Sequence, residues 1–304
     1  MQGQPEANAA SIKEPRYNHI DVKITYACNF CCEYCYQADE NGVRQAGVLS
    51  KENANNLLKF IDRLGINFDV TLAGGEPFVY PYLNELAKGL AERGCGIMII
   101  TNFSASIKKL EEFLDAGRNM IKEFNISVHI SQWNDMFVFY EKLEEFLELV
   151  KKVELPVKIK SRCVVTDENY GCVRDLSRNM KERFSGIEFR LQRVYYENIY
   201  HKYKPEIEEY LQNEGVDVPV NRIDDADYAG QLCWTGNRFF YIESDGTVYR
   251  CYTRQQDNTK WILGNLNDYK NIRILNGAEP CQTTDWGRCL CHEHFENVGF
   301  VQRN

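Results

Sequence analysis

The strongest constraint on the fold is an alternation that runs through the first two thirds of the chain. Residues 19–25, 68–72, 96–101, 125–131, 157–165 and 187–192 are short β-branched or alternating runs of strand type. Between them lie stretches of helical periodicity at 49–64, 82–93, 107–116, 137–153 and 170–184, the first opened by Ser50 as an N-cap. Strands separated by helices demand crossover connections, so the strands are parallel and the helices cover the sheet. The fold class is therefore α/β. An open, TIM-like partial (β/α)6 barrel and a doubly wound sheet both satisfy the count.

Past residue 196 the pattern changes. An acidic helical stretch at 205–214 leads through Asp224 and Asp225 into a hairpin, in which 238–242 and 247–251 flank Glu243-Ser244-Asp245-Gly246. The Asp-Gly pair is a strong turn signal. A boundary near Tyr228 divides the chain into an N-terminal extension (1–18), a barrel-like unit (19–227) and a small C-terminal unit (228–304) built on the hairpin and a helix.

A chain of 304 residues with 44% hydrophobic content can bury a substantial core. Its 36 basic and 44 acidic residues leave a net charge of -8, which argues against a phosphate-neutralising nucleic-acid surface. The first residues carry no basic stretch followed by an apolar one, and no run of about 18 apolar residues follows. A cytoplasmic protein without membrane or nucleic-acid partners is expected. Twelve cysteines in such a compartment point to metal or redox use rather than disulfides.

Three of these cysteines, Cys28, Cys32 and Cys35, follow the first strand with CxxxCxxC spacing. Three thiolates hold three irons of a [4Fe-4S] cluster, whereas full protein ligation takes four, so one iron is left open to a small molecule. Zinc is the alternative, although closed zinc sites usually build four ligands from paired spacings. Cys31 and Cys95 read as buried apolar thiols. The triplet, with the aromatic Tyr34 before its last cysteine, resembles the signature of the radical S-adenosylmethionine (SAM) superfamily. The resemblance selects the open barrel, makes Cys28, Cys32 and Cys35 the catalytic cluster ligands and places Tyr34 against the SAM adenine.

A second motif, Gly74-Gly75-Glu76-Pro77, ends the second strand-like run. Glycines permit close backbone approach, Glu76 can accept from an ammonium group and Pro77 fixes the turn. It resembles the family's GGEP motif, which binds the SAM amino group. Strand parity places Ser127, His129 and Ser131 on one face, and Lys158, Lys160 and Arg162, then Glu188, Arg190 and Gln192, on the corresponding faces of the next two strands. An inward guanidinium can grip a carboxylate. By resemblance Ser127 and Arg162 serve the SAM ribose and carboxylate, and Asn102, in Thr101-Asn102, faces the same cavity. Solvated polar faces are the alternative for these rows.

Near the C-terminus, Cys233 precedes Gly246-x4-Cys251 on the hairpin, and Cys281, Cys289 and Cys291 follow. This resembles the twitch domain, a shortened SPASM domain that binds an auxiliary [4Fe-4S] cluster. The favoured ligands are Cys233, Cys251, Cys289 and Cys291, with Cys281 as substitute, although the usual closing CxxC is absent. Zinc with His292 or His294 remains open.

The resemblance implies reductive cleavage of SAM to a 5'-deoxyadenosyl radical, with flavodoxin or ferredoxin as electron donor. The leading expectation is an oxidoreductase or isomerase that dehydrogenates or epimerises a polar small molecule of sugar or alcohol type. A peptide-modifying enzyme with a separate leader-recognition protein is the second, and an iron-sulfur electron carrier the third. Cys163 and Cys172 are unassigned thiols. Parity puts Cys163 away from the basic row and so in the core.

Overall fold

The structure is a computed structural model that describes residues 18–35, 37, 46–196, 199–216, 232–251 and 261–280. Six strands and five helices alternate in the order β1 (His19–Thr25), α1 (Lys51–Leu64), β2 (Asp69–Gly74), α2 (Leu83–Ala91), β3 (Gly96–Thr101), α3 (Ile107–Gly117), β4 (Ile121–Val128), α4 (Met136–Lys152), β5 (Lys158–Val165), α5 (Tyr170–Arg183) and β6 (Glu188–Arg193). Then come β7 (Tyr195–Tyr196), β8 (Ile199–Tyr200), α6 (Pro205–Asn213), β9 (Leu232–Cys233), β10 (Phe239–Ile242), β11 (Thr247–Tyr249), β12 (Ile262–Asn265) and β13 (Glu279–Pro280).

The helices begin where side-chain caps satisfy otherwise orphaned amides. Ser50 accepts from the amide of Asn53 at 3.0 Å, and Asp135 accepts from that of Phe137 at 2.8 Å. Gly65, at φ 67°, closes α1 in a left-handed conformation that suits glycine.

The first six strands pair in sequence order, all parallel, as β1-β2-β3-β4-β5-β6. Right-handed crossovers in an unbroken order put every helix on the same face, whereas a doubly wound sheet reverses its order and covers both. The sheet is thus an open, partial barrel. Its outer face carries Phe124, Ile126 and Val128 of β4 and Ile159, Cys163 and Val165 of β5 into the helices. Phe124 stacks between Phe113 of α3 (5.7 Å) and Phe146 of α4 (4.9 Å). Burying such a side chain fully is worth about 1.5–3 kcal/mol.

The C-terminal hairpin continues this same sheet. β10 lies parallel beside β1, with His19 opposite Phe239 and Val22 opposite Ile242, and β11 and β12 extend it antiparallel. Gly246, at φ 86°, turns the hairpin. The boundary expected near Tyr228 falls outside the described residues.

One strand differs from its sequence reading. β4 starts at Ile121 rather than 125, because Ile121 and Phe124 pair with Ile97 and Ile99 of β3. It ends at Val128 because residues 130–132 close a 3-10 turn, in which Gln132 donates its amide to the His129 carbonyl at 2.9 Å. The alternation expected to reach Ser131 therefore stops, and Ser131 is exposed.

Candidate active site

The carboxyl ends of β1, β2 and β3 converge on the cysteine loop. After β1 the chain is held back by two turns of β2. The amide of Gly75 donates to the Thr25 carbonyl at 2.7 Å and that of Glu76 to the Ala27 carbonyl at 2.8 Å. A Cβ on Gly74 would collide with the Thr25 carbonyl, and one on Gly75 with that of Ala27. The close approach expected toward a ligand is thus made toward the chain's own backbone. These glycines dock the cysteine loop onto the sheet.

Glu76 is fully buried. Its carboxylate accepts from the Phe78 amide (3.1 Å), the Thr101 hydroxyl (2.8 Å) and the Asn102 amide (2.6 Å), tying the end of β2 to the end of β3. Burial pushes its pKa up, and these three donors with nearby Lys142 oppose the shift. Pro77 starts the 3-10 turn Pro77–Val79 that follows.

Asn102 faces the loop directly. Its side-chain amide donates to Cys28 Sγ (3.6 Å) and to Asn29 Oδ1 (3.1 Å). The Phe30 amide also donates to Cys28 Sγ, at 3.4 Å. Two donors thus fix the position of this sulfur. Phe103, next in the turn, sits at φ 61°, a region costly for a β-carbon residue. Lys142 of α4 holds it there by donating to the Phe103 carbonyl at 2.7 Å while packing between the Phe103 and Trp133 rings. Burial lowers the Lys142 pKa to about 8.

Cys28 and Cys35 are half-buried, Cys32 is buried, and Cys31 is exposed. The packing role expected of Cys31 is therefore corrected: its amide donates to Gln132 Oε1, which turns the residue outward. Cys95 and Cys163 are core thiols as expected, and burial pushes Cys163 up to about 12. Among the described residues no three His, Cys, Asp or Glu side chains converge as a single-ion site would need. A cluster takes its thiolates on separate irons and does not require that convergence. Tyr34 stacks on His129 (5.8 Å) and hydrogen-bonds its Nδ1 at 2.9 Å, and burial pushes the phenol pKa upward.

On the inner face Ser127 stands opposite Arg162, and Asn125 opposite Lys160. Both Ser127 and Arg162 are half-buried there, as parity predicts. The row is of mixed charge: Lys160 pairs with Glu123 at 2.6 Å, and Glu188 with Lys158 and Arg190 at 2.7 and 2.6 Å.

Of the C-terminal cysteines, Cys233 and Cys251 are described and both are buried, while Cys281, Cys289 and Cys291 lie outside the described residues. Burial pushes Cys233 up to about 11, and Cys251 adds to the rise. β9, which carries Cys233, pairs with β13, so that Glu279 faces Cys233 and Pro280 faces Leu232. The cysteine loop and the hairpin are joined by a carboxylate missed in the sequence: Glu243, in the hairpin turn, accepts from Tyr26 (3.0 Å) and Tyr241 (2.8 Å). Lys142 and Arg250 were missed as well. No local pattern marks a lysine or arginine as buried.

The open parallel barrel carries a docked cysteine loop, with Cys233 on β9 and Cys251 after β11. The sequence matches the Radical SAM superfamily over residues 22–179 and an iron-sulfur cluster-binding domain, SPASM, over 233–296. The chain belongs to the radical SAM superfamily. That family's cofactors are a [4Fe-4S] cluster and SAM, and the second domain adds auxiliary iron-sulfur binding. The probable GTP 3',8-cyclase of Saccharolobus solfataricus is 30% identical over 170 residues, 56% of this chain and 51% of that one. The protein of the same name from Sulfolobus acidocaldarius is 32% identical over 163 residues, covering 49% and 48%. The chain thus spans about half the length of these curated relatives. Among solved structures, anSMEcpe with bound AdoMet shares the fold with a TM-score of 0.54 at 20% identity, over 83% of this chain and 78% of that one. Streptococcus suis SuiB bound to precursor peptide SuiA gives 0.50 at 18%, over 85% and 67%. Among the described residues no helix is long and apolar enough to cross a membrane.

Proposed function

We propose that this chain is an enzyme in which Cys28, Cys32 and Cys35 hold a [4Fe-4S] cluster that binds and reductively cleaves SAM, and that it dehydrogenates a polar small molecule. The observation that carries this reading is the docking of the cysteine loop onto Gly74, Gly75 and Glu76, with Asn102 donating to Cys28. When bound, the cluster supplies the electron that breaks the SAM carbon–sulfur bond and so yields the 5'-deoxyadenosyl radical. The chain's own part is placement. Asn102 and the Phe30 amide position the Cys28 sulfur, and Glu76 fixes the ends of β2 and β3. Ser127 and Arg162 present a hydroxyl and a guanidinium for the SAM ribose and carboxylate. Tyr34, backed by His129, forms the wall for the adenine.

The mixed-charge inner row suits a polar substrate, in keeping with the nucleotide named for the curated relatives. Epimerisation needs a thiol that returns a hydrogen atom to the substrate. Cys163 faces the helices with Ile159 and Val165 and does not serve. Loss of an electron and a proton from the substrate radical, the electron passing to an auxiliary cluster on Cys233, Cys251 and two of Cys281, Cys289 and Cys291, gives dehydrogenation. A flavodoxin- or ferredoxin-like donor supplies the first electron. The exposed thiols Cys31 and Cys172 suit a reducing, cytoplasmic setting.

The test is anaerobic reconstitution, then incubation with SAM, a low-potential reductant and candidate polar metabolites. The wild type forms 5'-deoxyadenosine, and the Cys28→Ala, Cys32→Ala, Cys35→Ala variant forms none. Equal amounts from both would overturn the assignment.

A further inference from the structure

The C-terminal part of the sheet contains a buried charge with no carboxylate to balance it among the described residues. Arg250 directly precedes Cys251 and is only 3% exposed. Its Nε donates to the Thr235 carbonyl (3.0 Å) and hydroxyl (3.2 Å), Nη2 to the Glu279 carbonyl (2.8 Å) and Nη1 to the Pro280 carbonyl (3.3 Å). The guanidinium also lies 5.6 Å over the Trp261 ring. Every one of these oxygens is neutral, and among the described residues no carboxylate reaches the guanidinium. The other buried arginine shows the usual arrangement: Arg193 pairs with Glu208 at 2.7 Å. An arginine keeps its proton in any protein environment, and a buried charge without a counter-charge is expensive.

One buried sulfur lies close to this cation through a shared hydroxyl, and a second belongs to the next residue of the chain. The Thr235 hydroxyl that accepts from Arg250 lies 3.3 Å from Cys233 Sγ. With a lone pair engaged by Nε, that hydroxyl keeps its proton to donate to a sulfur that has lost its own. Cys251 is the next residue along the chain and is 8% exposed. Through the carbonyls of Glu279 and Pro280, Arg250 also fixes β13 against β9, the strand that ends in Cys233.

We propose that Arg250 is the counter-ion and positioning residue of an anionic iron-sulfur centre held by Cys233 and Cys251, and that it raises that centre's reduction potential. This rests on the auxiliary-cluster reading given above. Cluster potentials respond to net charge and to hydrogen bonds on the ligating sulfurs, and outer-shell groups tune both. Reduction adds a negative charge, which a nearby guanidinium stabilises. The arrangement makes the auxiliary centre a better acceptor for an electron released by substrate.

The experiment uses the full chain with Cys28, Cys32 and Cys35 replaced by Ala, reconstituted anaerobically with iron and sulfide, so that only the auxiliary centre is read. Iron and sulfide are counted, and the midpoint is followed by electron paramagnetic resonance. In Arg250→Gln the reduced form is disfavoured at least about tenfold, a downward shift of about 59 mV for a one-electron couple. Arg250→Lys, which keeps the charge, stays within about threefold of the parent. Thr235→Val falls between them without loss of iron. Loading of the Lys variant but not the Gln variant supports the same role. Equal potentials in parent, Gln and Lys variants overturn the role of Arg250 alone. Loss of the centre from both Arg250 variants makes the residue a brace for shape and also overturns it. A parent without iron overturns the cluster reading and the inference together.

Discussion

The cysteine loop after β1 and the region of Cys233 and Cys251 are braced by buried charges of opposite sign. At the first, the fully buried Glu76 carboxylate gathers donors from two strand ends. At the second, the Arg250 guanidinium gathers acceptors from two strands. Each buried charge ties two separate parts of the chain together: Glu76 joins the ends of β2 and β3, and Arg250 joins Thr235 to β13.

The sharpest way to break this comparison is at Gly75. In Gly75→Ala the added methyl meets the Ala27 carbonyl, so the loop must lift from β2. The first site is expected to lose its iron and all SAM cleavage while the auxiliary iron stays, and the unfolding free energy is expected to drop by about 1–3 kcal/mol. Iron analysis with urea unfolding checks this. Retained SAM cleavage would detach the glycines from the site.

Glu76→Gln comes next. The isosteric amide turns two N–H donors toward groups that already donate, costing about 1–3 kcal/mol. SAM affinity, measured by equilibrium dialysis on the reconstituted protein, is expected to weaken about tenfold or more. Tyr26→Phe is milder, because Glu243 keeps its bond from Tyr241. A loss of about 1 kcal/mol is expected, and a cycle with Glu243→Gln should show coupling between loop and hairpin. Additive effects would mean that the two regions are independent.

The smallest effect concerns Lys142, whose pKa burial lowers from 10.5 to about 8. Between those values the unfolded chain binds the extra proton, so Lys142 makes stability rise with pH across that window and penalises folding below it. Lys142→Met is expected to flatten that rise in urea titrations that bracket the window. An unchanged slope would assign it to other groups.

Local pattern made much of this legible. Ser50 capped its helix as read, the polar and apolar sides of β5 followed parity, and the triplet and GGEP lay together at the strand ends. What escaped was non-local. Nothing near Phe239 reveals that it pairs in parallel with His19, which fuses the hairpin to the barrel sheet. Sequence cannot show that a Cβ on Gly74 or Gly75 would meet the carbonyls of Thr25 and Ala27. Cys31 looked apolar beside its neighbours, yet its amide donates a hydrogen bond to Gln132, 101 positions away, and the residue is exposed. Arg250 beside Cys251 was visible, but its burial was not.

The central claim, two separate iron-sulfur sites in one chain, is tested most directly by counting metal after anaerobic reconstitution. The account predicts about eight irons per chain in the wild type and about four in the Cys28→Ala, Cys32→Ala, Cys35→Ala variant, with matching sulfide. Zinc in that variant, or no metal at all, would contradict it.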